Sequence, residues 1–216
     1  MKHNVSVISE EIRQLSRYPY RVKKAVLEGM TDYMPDCRRV VFLGDSLMEY
    51  GQWQEMLDME DVAIYNRGIA GDTINGVCTR LASVERLFPH KIFLMIGINN
   101  LSMGQDVKDV ARDYRYLIDV MQGKFHSADT EIFLLSVLPI NKELCRNPYL
   151  KGNEDIIELN RKICSFCKGK DGMTYIDIYS SMLDESEQLN PCYTIDGIHL
   201  DSEGYAVWFS CIDDLL

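Results

Sequence analysis

Basic residues are in short supply. Lysine and arginine number 23 against 33 aspartates and glutamates, a formal net charge of −10 over 216 residues. A phosphate backbone is bound by a surplus of cations, so this deficit argues against nucleic acid as a partner. It also gives no attraction to an anionic membrane surface. Long apolar runs are missing too. None approaches the roughly 20 residues that span a bilayer, so no integral membrane contact is expected. Met1-Lys2-His3-Asn4 leads into Glu10, Glu11 and Arg13 without the apolar core of a signal peptide, and the expected location is cytoplasmic.

Metal-ligating patterns are equally scarce. Only four histidines are present, and no H-E-x-x-H occurs. The seven cysteines, at 37, 78, 145, 164, 167, 192 and 211, are odd in number and irregular in spacing, unlike a secreted disulfide framework. Cys164 and Cys167 form a C-x-x-C pair, but a zinc site would need a second pair or nearby histidines. The pair lies inside a helical pattern, which favours two core-facing or free thiols over a redox motif. Gly68-x-x-Gly71 lacks the third glycine of a dinucleotide fingerprint and the Lys-Ser/Thr of a P-loop. No metal and no cofactor are therefore expected. Internal repeats, low-complexity tracts and linkers are absent, and the length fits one domain, residues 1–216.

What is there is a regular alternation. Val40–Leu43, Val62–Asn66, Ile92–Ile96, Ile132–Leu135 and Thr174–Asp177 read as short buried strands. Helical patterns fall between them: near Gln52–Met59, through Val77, Leu81 and Val84, over Gln105–Gln122, and over Glu154–Cys167. A last helix runs through Ala206, Phe209 and Ile212. Two further helical pieces, Val7–Ser16 and Tyr20–Met30, precede the first strand, so residues 1–36 are expected to be a helical extension packed on the domain. Five alternations predict a doubly wound α/β/α sandwich with a mainly parallel five-stranded sheet and flavodoxin-like strand order. Ser136–Asn153 is a loop long enough to suggest a lid or binding wall.

In such a sheet the ligand site lies outside the carboxyl ends of the strands. Ser46 follows strand one in Gly44-Asp45-Ser46, Gly71 follows strand two, Asn99 follows strand three, and Asp196 and His199 lie beyond strand five. Each has an ordinary reading. Serine caps helices, aspartate and glycine make turns, asparagine bonds its own backbone, and histidine packs. Together they supply the parts of nucleophilic catalysis. Ser46 is the expected nucleophile, His199 its base, and Asp196 the acceptor that orients the imidazole. The N–H groups of Ser46 and Gly71 and the amide of Asn99 can form an oxyanion hole. Asp45, Asn100, Asn141, Arg146 and Tyr149 are the expected substrate contacts. The α/β-hydrolase alternative requires Gly-x-Ser-x-Gly, and Met48 stands where its second glycine would be.

Gly44-Asp45-Ser46, Asn66-Arg67-Gly68-Ile69-Ala70-Gly71-Asp72-Thr73, Gly97-Ile98-Asn99-Asn100 and Asp196-Gly197-Ile198-His199 resemble, in order, the four blocks of the SGNH (GDSL) hydrolases. The Gly-Ile-x-Gly-Asp-Thr and Gly-x-Asn-Asn forms are most similar to the branch containing the intracellular platelet-activating-factor acetylhydrolase subunits. The resemblance covers the chain from about Val40 to the final helix. It implies a serine esterase with Ser46, Asp196 and His199 as its triad and Gly71 and Asn99 in its oxyanion hole. Many members have aspartate where this chain has Asn100, and the acetylhydrolase-like branch shares the asparagine. The expected substrate is a small-molecule ester of a short acyl group, with acetyl on a carbohydrate as the candidate, and the expected partner is a second copy in a homodimer. Lysophospholipase or thioesterase activity, or silent ligand binding on the same fold, is the alternative.

Overall fold

The computed structural model describes residues 19–30, 36–57, 61–125 and 129–216. Five strands form one sheet: β1 (Arg38–Gly44), β2 (Val62–Gly68), β3 (Lys91–Met95), β4 (Glu131–Leu135) and β5 (Met173–Ile176). Their order is β2-β1-β3-β4-β5, and every pairing is parallel. This is the flavodoxin-like order expected, with the chain reversing direction across the sheet between β1 and β3. The helices are α1 (residues 19–29), α2 (Ser46–Tyr50), α3 (Trp53–Met56), α4 (Ile74–Glu85), α5 (Ile98–Ser102), α6 (Val107–Phe125), α7 (Glu154–Cys167) and α8 (Ser202–Ser210). The helical piece read at Val7–Ser16 falls outside the described residues.

Period-two alternation splits each strand between two cores. Val41, Leu43, Ile92, Leu94, Ile132 and Leu134 face the apolar stripes of α4, α6 and α7. Val40, Phe42, Phe93, Met95 and Phe133 face α3 and α8. On that second side Phe42 lies in register with Phe93, and Phe93 with Phe133, so their rings stack at centroid separations of 5.2 and 4.7 Å. Trp53 continues the stack on Phe42 at 4.1 Å, and Trp208 meets Trp53 edge-on at 5.3 Å. Such pairs stabilise a core beyond the area they bury.

Several expected boundaries move. The helix read over Gln52–Met59 is the four-residue α3, and α2 precedes it, because Gly51 between them is extended. The Gln105–Gln122 helix starts at Val107, where the Asp106 carboxylate accepts the Lys108 N–H. The fifth strand ends one residue early, since the Asp177 carboxylate turns to accept the N–H and hydroxyl of Ser180. Ile212 is buried but lies beyond α8. Ser136–Asn153 contains no helix or strand, as read. Among the described residues no helix is long and apolar enough to cross a membrane.

Candidate active site

Asp45, and not Ser46, caps α2. Its Oδ1 accepts the Leu47 N–H at 3.1 Å, and Ser46 is the first helical residue. The capping reading of Ser46 therefore fails, and its hydroxyl is left for another partner. That partner is His199: Ser46 Oγ and His199 Nε2 are 3.0 Å apart. His199 Nδ1 is 2.7 Å from Asp196 Oδ2. The other oxygen of Asp196 accepts the N–H groups of Ile198 and His199. Burial pushes the Asp196 carboxyl upward. The bonds from the His199 ring and from those two N–H groups outweigh it and hold the carboxyl below the usual range. Serine, imidazole and carboxylate thus form one hydrogen-bonded chain across 153 residues of sequence.

The turn that carries His199 is pinned from two sides. Thr194 Oγ1 donates to the His199 carbonyl and accepts the Gly197 N–H. The Gly197 carbonyl accepts the Asn141 N–H at 2.9 Å. Gly197 has φ of 84°, and a β-carbon there would sit 2.5 Å from the Asn141 carbonyl oxygen, so only glycine allows this approach. Tyr50 lies one helical turn beyond Ser46, half exposed, its ring centroid 5.6 Å from that of His199. The i, i+4 spacing from Ser46 was the available signal for it.

Across from this chain lie Gly71 and Asn99. Gly71 has φ of 77°, and a β-carbon there would meet nothing within 4 Å, so the backbone at Gly71 faces open space. The N–H groups of Ser46 and Gly71 have no acceptor among the described residues. Asn99 donates from Nδ2 to the Asp72 carbonyl at 2.9 Å, which holds its amide against the Gly71 turn. The second Nδ2 hydrogen remains available. A five-residue α2 has a weak macrodipole, so an anion beside Ser46 would be held by individual N–H donors more than by the helix as a whole.

The expected substrate contacts divide. Asn100 is buried; its Oδ1 accepts the Ile74 N–H and its Nδ2 donates to Gln105. Asn141 is buried; it donates to the Leu189 carbonyl and accepts the N–H groups of Glu143 and Leu144. Asp45 is buried beneath the helix it caps. These three are corrections, because all are buried: Asn100 and Asn141 are bonded into the fold, and Asp45 caps α2 with one oxygen while the other is shut away from solvent. Arg146 and Tyr149 are exposed. The Tyr149 ring packs over Gly104, and Asn147 donates to the Ser102 carbonyl, so this loop spans from the end of α5 to the His199 turn.

Sequence reading missed the network beneath the site. Arg80 and Asp72 are each 1% exposed and form an ion pair at 2.8 Å. Arg80 also donates to the carbonyls of Arg67 and Gly44, at 2.7 and 3.0 Å. Asp72 accepts the Thr73 N–H and the Tyr20 hydroxyl. Burial and the negative Asp72 push the Tyr20 phenol up to about 12, so it remains a donor. One guanidinium therefore joins the end of β1, the end of β2 and the turn after Gly71. The signal was a charge at position 80 on the stripe Val77, Leu81, Val84, where an apolar residue belongs. Asp45 is the other buried acid. Desolvation, with the nearby Asp72 charge, pushes it up to about 7 against the pull of the Leu47 N–H. Its second oxygen has no partner. Cys164 is half-buried and Cys167 buried, both free thiols. Among the described residues no cluster of metal-ligating side chains occurs.

A parallel α/β/α sandwich with serine, histidine and aspartate gathered at its carboxyl edge defines a class of hydrolases. The profile of the GDSL-like lipase/acylhydrolase family matches residues 42–207, and the chain belongs to that family. A Streptococcus pneumoniae protein described provisionally as a platelet activating factor shares the fold with a TM-score of 0.82 and 24% identity, over 96% of this chain and 98% of that one. A GDSL-like lipase of Bacteroides thetaiotaomicron matches with a TM-score of 0.73 and 22% identity, over 91% and 96%. A variant of an acetyl-xylooligosaccharide esterase from Geobacillus matches at 0.65 and 17%, over 83% and 94%. A curated relative, the N-acylneuraminate cytidylyltransferase of Escherichia coli O18:K1:H7, is 26% identical over 178 residues, 78% of this chain. The chain spans 38% of that protein's length.

Proposed function

We propose that the chain is a serine ester hydrolase that works through an acyl-enzyme on Ser46. The observation that carries this reading is the contact chain from Ser46 Oγ to His199 Nε2 at 3.0 Å and from His199 Nδ1 to Asp196 Oδ2 at 2.7 Å. His199 Nε2 takes the hydroxyl proton as Oγ attacks the ester carbonyl. Asp196 holds the tautomer with hydrogen on Nδ1 and stabilises the imidazolium that forms. The tetrahedral oxygen receives the N–H groups of Ser46 and Gly71 and the free hydrogen of Asn99 Nδ2. His199 then protonates the departing alcohol. Water, deprotonated by the same imidazole, hydrolyses the acyl-enzyme and releases the acid.

A short acyl group on a sugar is the substrate this reading favours. Two similar proteins support it by name: one is an esterase of acetylated xylo-oligosaccharides, and the other handles N-acylneuraminate, an acylated sugar acid. The test is hydrolysis of p-nitrophenyl acetate and of acetylated sugars, with fluorophosphonate labelling. Ser46→Ala should lose turnover on the order of 10³-fold or more while staying folded, and should lose the label. A label on another serine, with Ser46→Ala fully active, would overturn the assignment.

A further inference from the structure

A cavity of about 380 Å³ opens beside Gly71. Its wall comes from two parts of the chain: Tyr20 and Arg21 on α1, and Ala70, Gly71, Thr73 and Met103 on the sheet edge. The α1 residues precede the segment matched by the family profile, which begins at 42. Tyr20 fixes α1 here through its bond to Asp72, and Leu27 buries the helix's inner face. The three cations of α1 differ in one respect. Lys23 pairs with Glu49 at 3.4 Å and Lys24 with Glu28 at 3.8 Å. Arg21 is exposed and has no ion pair or hydrogen bond among the described residues. Among the described residues of the wall the one carboxylate, Asp72, is committed to Arg80, Thr73 and Tyr20. A guanidinium with no ion pair among the described residues therefore borders the space into which Gly71 opens.

We propose that Arg21 makes this enzyme select esters whose alcohol portion carries a carboxylate. The inference rests on the Ser46 hydrolase reading and names its substrate class. A cavity of this size, within the range that holds whole small-molecule ligands, exceeds what a short acyl group fills, so the alcohol occupies it. Guanidinium meets carboxylate through two parallel N–H donors. Among the described residues the wall offers one such cation, beside the neutral Gly71 N–H and a Thr73 hydroxyl that accepts the Gly76 N–H. That matches a single negative charge better than a phosphate dianion.

The experiment compares kcat/KM for 4-acetoxybenzoate, for its neutral methyl ester and for phenyl hemisuccinate, in wild type, Arg21→Gln, Arg21→Glu and Arg146→Gln. The ratio of charged to neutral ester should fall about tenfold in Arg21→Gln, as expected for a charge-assisted bond at a partly solvated rim, and further in Arg21→Glu. Raising the ionic strength should shrink the wild-type ratio. Turnover of the methyl ester with a ratio unmoved by either substitution overturns the role of Arg21 and leaves the hydrolase reading standing. A shift seen only in Arg146→Gln, or a charge preference seen only with phenyl hemisuccinate, whose carboxylate is on the acyl side, also overturns it. Turnover of neither ester, with no serine labelled by fluorophosphonate, removes the hydrolase reading and this inference together.

Discussion

Replacing Arg80 with methionine tests whether the buried ion pair sets the site's geometry. Methionine keeps much of the volume on the α4 stripe, so the main change is loss of the guanidinium. Arg80 and Asp72 are each 1% exposed, and the guanidinium makes contacts of 2.7–3.0 Å to Asp72 and to the carbonyls of Arg67 and Gly44. Breaking a buried pair by removing one partner costs about 3–5 kcal/mol, because the remaining charge is left uncompensated. Asp72 keeps two donors, Thr73 N–H and Tyr20 Oη, which argues for the lower half of that range. The two carbonyls lose their donor in the same step, so about 3–4 kcal/mol is expected. Urea unfolding should show a lower midpoint at unchanged slope. Pairing Arg80→Met with Asp72→Ala should then recover part of the loss, a coupling of about 1–3 kcal/mol. Below its melting transition Arg80→Met should also hydrolyse p-nitrophenyl acetate at least about tenfold more slowly, since Gly44 adjoins the Ser46 turn and Asp72 adjoins Gly71. A loss under 1 kcal/mol, or zero coupling with Asp72→Ala, would refute the reasoning.

Other substitutions probe neighbouring parts. Asn99→Ala should lower kcat by roughly 10²–10³-fold with little change in KM, the signature of a donor used in the transition state; Asn100→Ala should cost stability in urea more than kcat, because its amide ties α4 to the chain after α5. The opposite ordering in steady-state kinetics would place the oxyanion donor on Asn100. Asp45→Asn should flatten the stability profile between about pH 4 and 7. With its folded pKa near 7, Asp45 stays protonated when the unfolded chain has already ionised, so its contribution is complete below the unfolded pKa and is lost as pH rises through 7. Urea titrations at several pH values check this, and an unchanged slope in Asp45→Asn would show that Asp45 ionises normally.

How much could be read beforehand depended on whether a residue's signal is local. The central strands β1, β3 and β4 are buried on both faces along most of their length and so appear as apolar runs, which made the alternation and its carboxyl edge legible. Ser46, Gly71, Asn99 and the Asp196–His199 turn each follow an element closely, so topology alone gathers them. Residues working through long-range contacts left weaker traces. Tyr205 donates its hydroxyl to the Leu47 carbonyl across 158 residues, and Trp53 donates to Met48. Both hold α2, and therefore Ser46, from the aromatic core. In sequence they are merely two more buried aromatics. Asn141 misled for the opposite reason. A polar residue in a long loop looks like a ligand contact, yet its burial follows from the glycine at 197, whose missing side chain lets the loop backbone close onto the histidine turn. Asp45 shows the same inversion. It stands next to the nucleophile in sequence, but the strand-to-helix turn points its carboxylate inward to cap α2. Adjacency along the chain picked out Ser46, Asp196 and His199, which the fold brings into one hydrogen-bonded chain. Which polar neighbours face a ligand was decided by backbone packing between segments more than 50 residues apart, as at Asn141 and Gly197 or at Tyr20 and Asp72.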